Sequence, residues 1–552
     1  MSVIETRGHQ MFPVLDAGQI ETAKRFASGP ARRFAPGELV FDVGERNAPA
    51  WLVLEGTIDV IRRDGLHRES SITTHHPGQI SGELSQLSGR PSLASGSAGP
   101  DGCTALPFDA AHIRALMIGS AEIGEILMRA YILRRVGLIE EGGVGSVLVG
   151  TPGTPDLLRL ENFLRRNGYP YQVLDAANDE DGRAVVDKFG VLPHEFPIML
   201  CSNGTLRKNP TDAEAGVCLG MVPEIDPETL YDLAVVGAGP GGLAAAVYGA
   251  SEGLSVLVVD ERAFGGQAGA SSRIENYFGF PTGIDGMKLT ARGFNQALKF
   301  GAEIAIPLEV ARLDCSESPG GAMRLQFSNG SSARARTVVI ASGASYRRPP
   351  IANLSVFEGR GVSYWASAVE AKLCEGEEVA LVGGGNSAGQ AVVFLAPKVK
   401  QLHLVVRAQG LESSMSRYLI DRIAALPNVE LHTETEIVGL EGDAEVGLTG
   451  AVFRHRKDGT THKCPLRHLF LFIGADPNAN WLNGCVAVDS KGFVITGASD
   501  SERPTLPLET SRAGVFAIGD VRSGSTKRVA AAVGEGAAVV AQIHSVLASQ
   551  AG

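Results

Sequence analysis

The sequence predicts a multidomain chain, β-rich at its N-terminal end and α/β through the remainder. Three observations carry this. At 552 residues the chain is too long for one core, since a domain usually takes about 100–200 residues. Short apolar runs separated by glycine turns fill its first part, whereas from Tyr231 onward buried strand-like runs alternate with helical ones. Two glycine-rich loops in that later part each join a strand to a helix.

Composition narrows the function classes. An apolar fraction of 44% is ordinary for globular proteins, so several sizeable cores are possible. The formal charge of −11 argues against a nucleic-acid partner, which needs a basic surface. Of seven cysteines the closest two, Cys201 and Cys218, stand 17 positions apart. No C-x-x-C is therefore present for redox work or zinc, and no metal site is expected. An odd count in a chain without secretory features reads as reduced thiols in a cytoplasmic protein. The N-terminus Met1–Gln10 is polar, and no run reaches the roughly 18 apolar residues of a membrane helix, so no membrane partner is expected.

The elements follow in order. Within residues 1–140, Glu38–Phe41, Ala50–Gly56 and Thr57–Ile61 are short strands at a spacing that suggests an antiparallel jelly roll. Helical spacing from Phe108 to Val136 closes this unit. Residues 141–225 read strand Val147–Val149, helix Asp156–Asn167, strand Tyr171–Leu174, helix Asp181–Phe189 and strand Pro197–Leu200. The regular alternation after Tyr231 implies a parallel sheet with crossovers.

The first glycine loop has every part of a dinucleotide fingerprint. Strand Tyr231–Val236 runs into Gly237-Ala-Gly239-Pro240-Gly-Gly242, a helix follows, and the next strand ends at Asp260 and Glu261. Gly237 makes the tight turn, Gly239 admits the pyrophosphate and Gly242 lets the helix pack closely. The helix N-terminus holds the phosphates, and Asp260 is expected to accept from a ribose hydroxyl. A second copy runs from strand Glu378–Val382 through Gly383-Gly-Gly385-Asn386-Ser387-Ala388 into a helix. Its following strand ends at Arg407, which suits a 2′-phosphate, so NADP is expected, with NAD left open. Two such Rossmann-like sites imply electron transfer between two cofactors.

From Tyr231 onward the chain resembles the low-molecular-weight thioredoxin reductase family. Gly265-Gly266-Gln267, Ile274-Glu-Asn276-Tyr-Phe-Gly-Phe-Pro281, Val339-Ile-Ala341-Ser-Gly343-Ala344 and Val515-Phe-Ala-Ile-Gly519-Asp520-Val521 match that family's FAD domain. The resemblance implies an FAD domain over 226–349 and 474–552, with an NAD(P)H domain over 350–473 inserted. It implies FAD contacts at Gly266, Gln267, Asn276, Ala341, Gly343, Gly519 and Asp520, and often a homodimer. The chain departs where the family has C-A-T-C-D, reading Trp365-Ala-Ser-Ala368-Val369. Cys374 lies past the lost pair and reads as a buried structural thiol. Ala408 and Glu412 replace usual arginines, and Arg417 offers compensation.

Residues 141–225 resemble a thioredoxin or glutaredoxin fold, with Phe196-Pro197 at the family's cis-proline and no cysteine around Thr151–Pro155. A plain αβ linker is the other reading. Residues 1–140 resemble cyclic-nucleotide-binding domains. Gly82-Glu83-Leu84 matches the phosphate cassette, whose glutamate bonds the ribose, so a cyclic nucleotide at Glu83 is a candidate partner. The cassette arginine falls near Ser92, with Arg90 two residues early, and the alternative is a jelly roll that binds no nucleotide.

These readings lead to a flavoprotein oxidoreductase that passes hydride from NAD(P)H to FAD and electrons to an unidentified acceptor other than thioredoxin. One alternative is a disulfide reductase using sequence-distant cysteines; another is a non-enzymatic redox sensor with a ligand-responsive N-terminal domain. No side chain is assigned as catalytic acid or base, because hydride transfer needs mainly a close stack. Trp365 or Tyr364 is expected near the flavin ring, as a gate or as ordinary packing.

Overall fold

A computed structural model describes residues 3–551, apart from 64–68, 83–85, 88, 142–145, 202–204, 272, 316–320, 367, 444 and 498–504. Its N-terminal part is a six-stranded antiparallel sheet with the path Arg32–Phe34, Ala94–Phe108, Ala50–Arg63, Glu69–His75. Leu39–Phe41 and Ile80–Ser81 pair to the side of that path. The sequence places a turn at Gly56, but the chain continues through it as one strand, Ala50–Arg63. Gly56 adopts φ +71°, and a Cβ there would lie 2.0 Å from the Gly102 carbonyl oxygen, so the irregularity is absorbed where only glycine fits. Asp109 caps helix Ala110–Gly119 by accepting the His112 N–H at 2.9 Å, and helix Ala121–Glu141 follows. Their Ile113, Leu116, Ile123 and Leu127 pack on Leu52, Leu106 and Phe108.

The middle part holds four strands in the order Leu206–Lys208, Ile198–Leu200, Ser146–Gly150, Tyr171–Asp175, the last two parallel. Helix Pro155–Arg166 buries Leu157, Leu160, Phe163 and Leu164, spaced as one face of a 3.6-residue repeat. Arg165 and Arg166 thereby stand at its last turn. The Phe196–Pro197 peptide is cis. A strand, Leu206–Lys208, and a helix, Asp212–Cys218, complete this part beyond the predicted elements. The helix starts with a capping box between Thr211 and Glu214.

A seven-stranded sheet follows. Leu230–Val236 lies at its centre, parallel to Val256–Val259 and to Ser332–Ile340, which in turn pairs with Val515–Ala517. The chain leaves this sheet through Ala344–Tyr346 and returns through Ala475–Pro477, which pair antiparallel. Between these crossings stands a second, five-stranded parallel sheet ordered Val362–Ser363, His468–Leu471, Glu378–Val382, Gln401–Val405, Val429–His432. A three-stranded antiparallel sheet over 435–465 covers one of its faces.

Two expectations from sequence need correction. The last helix, Val529–Ala551, contains a stretch long and apolar enough to cross a membrane by length and composition. Here Val539, Val540 and Ile543 are fully buried in the core beside helix Pro240–Ser251, although only 22% of the apolar stretch is buried. The cysteines are not all reduced. Cys201 and Cys218 form a disulfide with Cα atoms 6.2 Å apart, and Cys315 and Cys485 form another at 5.9 Å, both within disulfide reach. Folding closes sequence gaps that spacing alone left open. Cys103, Cys374 and Cys464 are free and buried. Denatured, unreduced protein is expected to release three thiols per chain to a colorimetric thiol reagent, and seven after reduction. Seven before reduction would exclude both bridges.

Candidate functional site

The central strand Leu230–Val236 ends at the floor of a cavity of about 670 Å³, a size within the usual range for small-molecule and cofactor sites. Fourteen of the predicted contacts line it: Gly237, Gly239, Pro240, Asp260, Glu261, Gly266, Gln267, Asn276, Ala341, Gly343, Asn386, Ser387, Gly519 and Asp520. The remaining five, Gly242, Gly383, Gly385, Ala388 and Arg407, lie off its wall.

The glycine loop shows why each position is what it is. Gly237 has φ +110°, and a Cβ there would meet the Ala341 carbonyl oxygen at 2.2 Å. At Gly242 a Cβ would sit 1.9 Å from the Gly237 carbonyl oxygen, so helix Pro240–Ser251 could not approach its strand. Gly239 has open space on that side and lines the cavity at the helix N-terminus. Unpaired N–H groups and the positive end of the helix dipole thus face the cavity, an arrangement that suits an anion.

Asp260 lines the cavity and is also bonded by the backbone of the loop. Its Oδ2 accepts the Ala238 N–H at 2.9 Å, and its Oδ1 accepts those of Arg262 and Ala263 at 3.0 and 3.1 Å. Asp260 therefore braces the loop from below. Glu261 is the adjoining carboxyl on the cavity wall, its pKa raised by burial first and then by Asp260 and Glu309. Asp520, at the cavity's other end, is likewise pushed up by burial, with Lys527 pulling the other way. Lys527 also lines the cavity and donates to the Asp520 carbonyl oxygen.

Arg166 was not foreseen from the sequence. It comes from the middle part, lines the cavity, and donates to the Gly266 carbonyl oxygen at 3.0 Å. Its Nε is buried without a hydrogen-bond partner, and its pKa is lowered by burial first, then by neighbouring Arg262. Next to it, Asn167 Nδ2 donates to the Arg262 carbonyl oxygen at 2.9 Å. No local motif marks Arg166, because it reaches the cavity from the middle part of the chain. Tyr346 lines the same wall, its phenol pushed up to about 12 by burial. Lys527 did have a signal, one of two adjacent cations, Lys527 and Arg528, just ahead of a long apolar helix, and both line the cavity.

Trp365 also lines the cavity, with its Nε1–H donated to Glu370 at 2.8 Å. Tyr364 lies off the wall; its hydroxyl donates to Glu358 at 2.6 Å. No cysteine stands among the described lining residues. Burial pushes the Cys374 thiol up to about 11, which leaves it protonated and unreactive at neutral pH.

The second glycine loop repeats the first. Gly383 has φ +148°, and a Cβ there would meet the Phe472 carbonyl oxygen at 2.5 Å, while Gly385 caps helix Asn386–Leu395 with open space around it. Asn386 Oδ1 accepts the Ser416 N–H at 2.7 Å and pins the loop that follows. Ala388 is fully buried under the helix. Arg407 is half exposed, 3.8 Å from Glu436, whose stronger partner is Arg454. Arg456 donates to the Arg407 carbonyl oxygen at 3.3 Å and adds a cation that strand-end position does not reveal. Arg417 points to Asp421 at 2.8 Å and is 78% exposed, so its side chain lies away from the core of this site.

A second cavity, of about 140 Å³, lies between the N-terminal sheet and the middle part. Gly82, Arg90 and Ser92 line it together with Tyr169 and Leu219. Arg90 therefore reaches this cavity despite its two-residue offset, and burial lowers its pKa to about 10. Glu83 lies outside the described residues.

Comparison with known proteins bears on both cavities. Residues 231–536 match the family described as pyridine nucleotide-disulphide oxidoreductase, and residues 31–119 match the cyclic nucleotide-binding domain. The chain is 31% identical over 314 residues to an alkyl hydroperoxide reductase component of Escherichia coli K12, a match covering 57% of this chain and 58% of that protein. It is 30% identical to thioredoxin reductase of Mycolicibacterium smegmatis, covering 58% of this chain and 98% of that protein. The crystal structure of T. acidophilum thioredoxin reductase aligns with TM-score 0.52 at 27% identity, over 58% of this chain and 99% of that one. Thioredoxin reductase-like members of the matched family bind FAD and NADPH. With the fingerprint loops, the shared cavity and these matches in agreement, the chain belongs to the pyridine nucleotide-disulphide oxidoreductase family.

Proposed function

We propose that this chain is an NADPH-dependent FAD oxidoreductase whose electrons leave the flavin for an acceptor other than a thioredoxin disulfide. The observation that carries the proposal is Trp365 on the flavin cavity wall, where the family's first redox cysteine would stand. FAD suits the residues present: the open Gly239 turn, the orphaned Arg166 Nε and the carboxyl of Glu261 supply a phosphate cradle, a cation and a ribose acceptor. When bound, FAD supplies two-electron chemistry between a nicotinamide and an acceptor.

The protein's own work is positioning. The helix N-terminus and Arg166 fix the pyrophosphate end, and Gly519 and Asp520 hold the opposite end. Asn386 and Ser387, from the second glycine loop, line the same cavity and bring the nicotinamide side towards it. Arg407 and Arg456 favour the 2′-phosphate of NADPH. Trp365, held by Glu370, would present an aromatic surface rather than a sulfur to a flavin bound in the cavity. None of the four disulfide-bonded cysteines lines the cavity, and Cys201 is fully buried in the middle core, which disfavours a thiol relay.

A second reading concerns regulation, and Arg90 on the N-terminal cavity favours it. A cyclic nucleotide there would place its phosphate against Arg90 and touch Tyr169 and Leu219 of the middle part. Calorimetric titration with cAMP and cGMP is expected to show binding that Arg90→Ala removes. Equal affinity in wild type and variant would discard this site.

Anaerobic titration with NADPH is expected to bleach the flavin completely at one equivalent per FAD. A requirement for two would reveal an electron-accepting disulfide and overturn the non-thiol reading. Arg166→Ala is expected to weaken FAD binding roughly ten- to a hundredfold, matching the loss of one charged hydrogen bond of about 1.5–3 kcal/mol. Release of fluorescent flavin on dilution measures this, and an unchanged affinity would remove Arg166 from the FAD site.

A further inference from the structure

The face of the five-stranded sheet turned towards the three-stranded sheet holds a cluster that neither cofactor uses. Strands Gln401–Val405 and Val429–His432 are parallel neighbours, with His403 opposite Glu430 and Val405 opposite His432. Residues two apart on a strand share a face, and so do paired residues on adjacent strands. His403, Glu430 and His432 consequently point the same way, while Leu402 and Leu404 enter the opposite core.

Three donor atoms converge there. His403 Nδ1 lies 3.1 Å from His432 Nε2 and 3.4 Å from Glu430 Oε2, and His432 Nε2 lies 3.6 Å from Glu430 Oε1. Ligands about 2.0–2.2 Å from a tetrahedral ion are separated from one another by roughly 3.3 Å. The observed separations bracket that value, each histidine facing a different oxygen of Glu430, and one donor atom from each residue lies within 4.8 Å of the other two. Both imidazoles are nearly buried, at 11% and 15% exposure, whereas Glu430 is 55% exposed and leaves a way in from solvent. The Phe453 ring meets both imidazoles edge to face, at interplanar angles of 83° and 86°, and fixes their planes from the apolar side. His462, from the covering sheet, has its ring 6.0 Å from that of His432 on the open side.

We propose that His403, His432 and Glu430 bind one divalent transition-metal ion of the zinc class, with the fourth position open to water or His462. Two imidazoles and one carboxylate form a borderline donor set that suits zinc and is poorly matched to calcium or magnesium, which take oxygen ligands. The ion ties the last two strands of the sheet together at the root of the second dinucleotide loop. His432 accepts the Val406 N–H at 2.9 Å through its carbonyl, one residue before Arg407. Sequence spacing conceals the site because its donors come from two strands separated by a helix.

The test uses full-length FAD-bound protein without a histidine tag, stripped with chelator and titrated with zinc by calorimetry. One zinc per chain is expected, together with a rise in melting temperature, while calcium produces neither effect. Cobalt in place of zinc is expected to give the visible absorption of a four-coordinate nitrogen–oxygen site. His403→Ala removes binding. Glu430→Gln, an exposed change that leaves the imidazole pair packed, removes the anionic ligand and weakens zinc binding by more than the roughly tenfold that loss of an outer-shell partner costs. No zinc uptake by the wild type, or equal uptake by Glu430→Gln and the wild type, would overturn the proposal and leave a histidine pair joined by one hydrogen bond.

Discussion

Three consecutive parts of the chain meet around Arg135 and Asn167, and the geometry of the flavin cavity depends on that meeting. Arg135 leaves the long helix of the N-terminal part and donates to the Asn167 carbonyl oxygen at 2.8 Å. Its guanidinium also faces Phe294 and Phe264 beneath the first glycine loop, with its carbon 5.3 and 6.0 Å from their ring centres. Asn167 passes the connection on to Arg262, and its neighbour Arg166 enters the cavity. Cation–π contacts and hydrogen bonds of this kind are individually worth about 0.5–1.5 kcal/mol. Here they share a few adjacent residues, so loosening one displaces the others. The cavity is therefore built by the middle part as well as by the FAD-like sheet.

Much of this architecture was legible because the relevant physics is local. Gly237, Gly239 and Gly242 could be assigned before any coordinates, since a tight turn, a phosphate approach and a close helix each require a missing side chain. The helix Pro155–Arg166 was readable from its apolar period within a residue or so at each end. At Asp260 the strand-end position puts a carboxylate on the cavity wall, and the fold adds backbone N–H bonds to both its oxygens. Local pattern located the carboxylate correctly but could not say which of several donors would reach it.

What stayed hidden depends on tertiary proximity. Cys315 and Cys485 are 170 residues apart, and no spacing rule connects them. Arg166 belongs to a part that could have been read as a linker. The strand through Gly56 shows a different limit: a glycine marks a turn or an irregular rung equally well, and the neighbouring strand at Gly102 decides between them.

The Cys315–Cys485 bridge has a mechanical consequence. It closes a covalent ring of chain that contains the entire second dinucleotide sheet, together with both crossings Ala344–Tyr346 and Ala475–Pro477. By the chain-entropy argument, rings of this length remove several kcal/mol of disorder from the unfolded ensemble, about 4.7 kcal/mol already at a hundred residues. The inserted lobe is thus a tethered lasso whose knot lies on the flavin-side base. Any opening of that lobe about its two-stranded stalk would leave the base joined through the bridge.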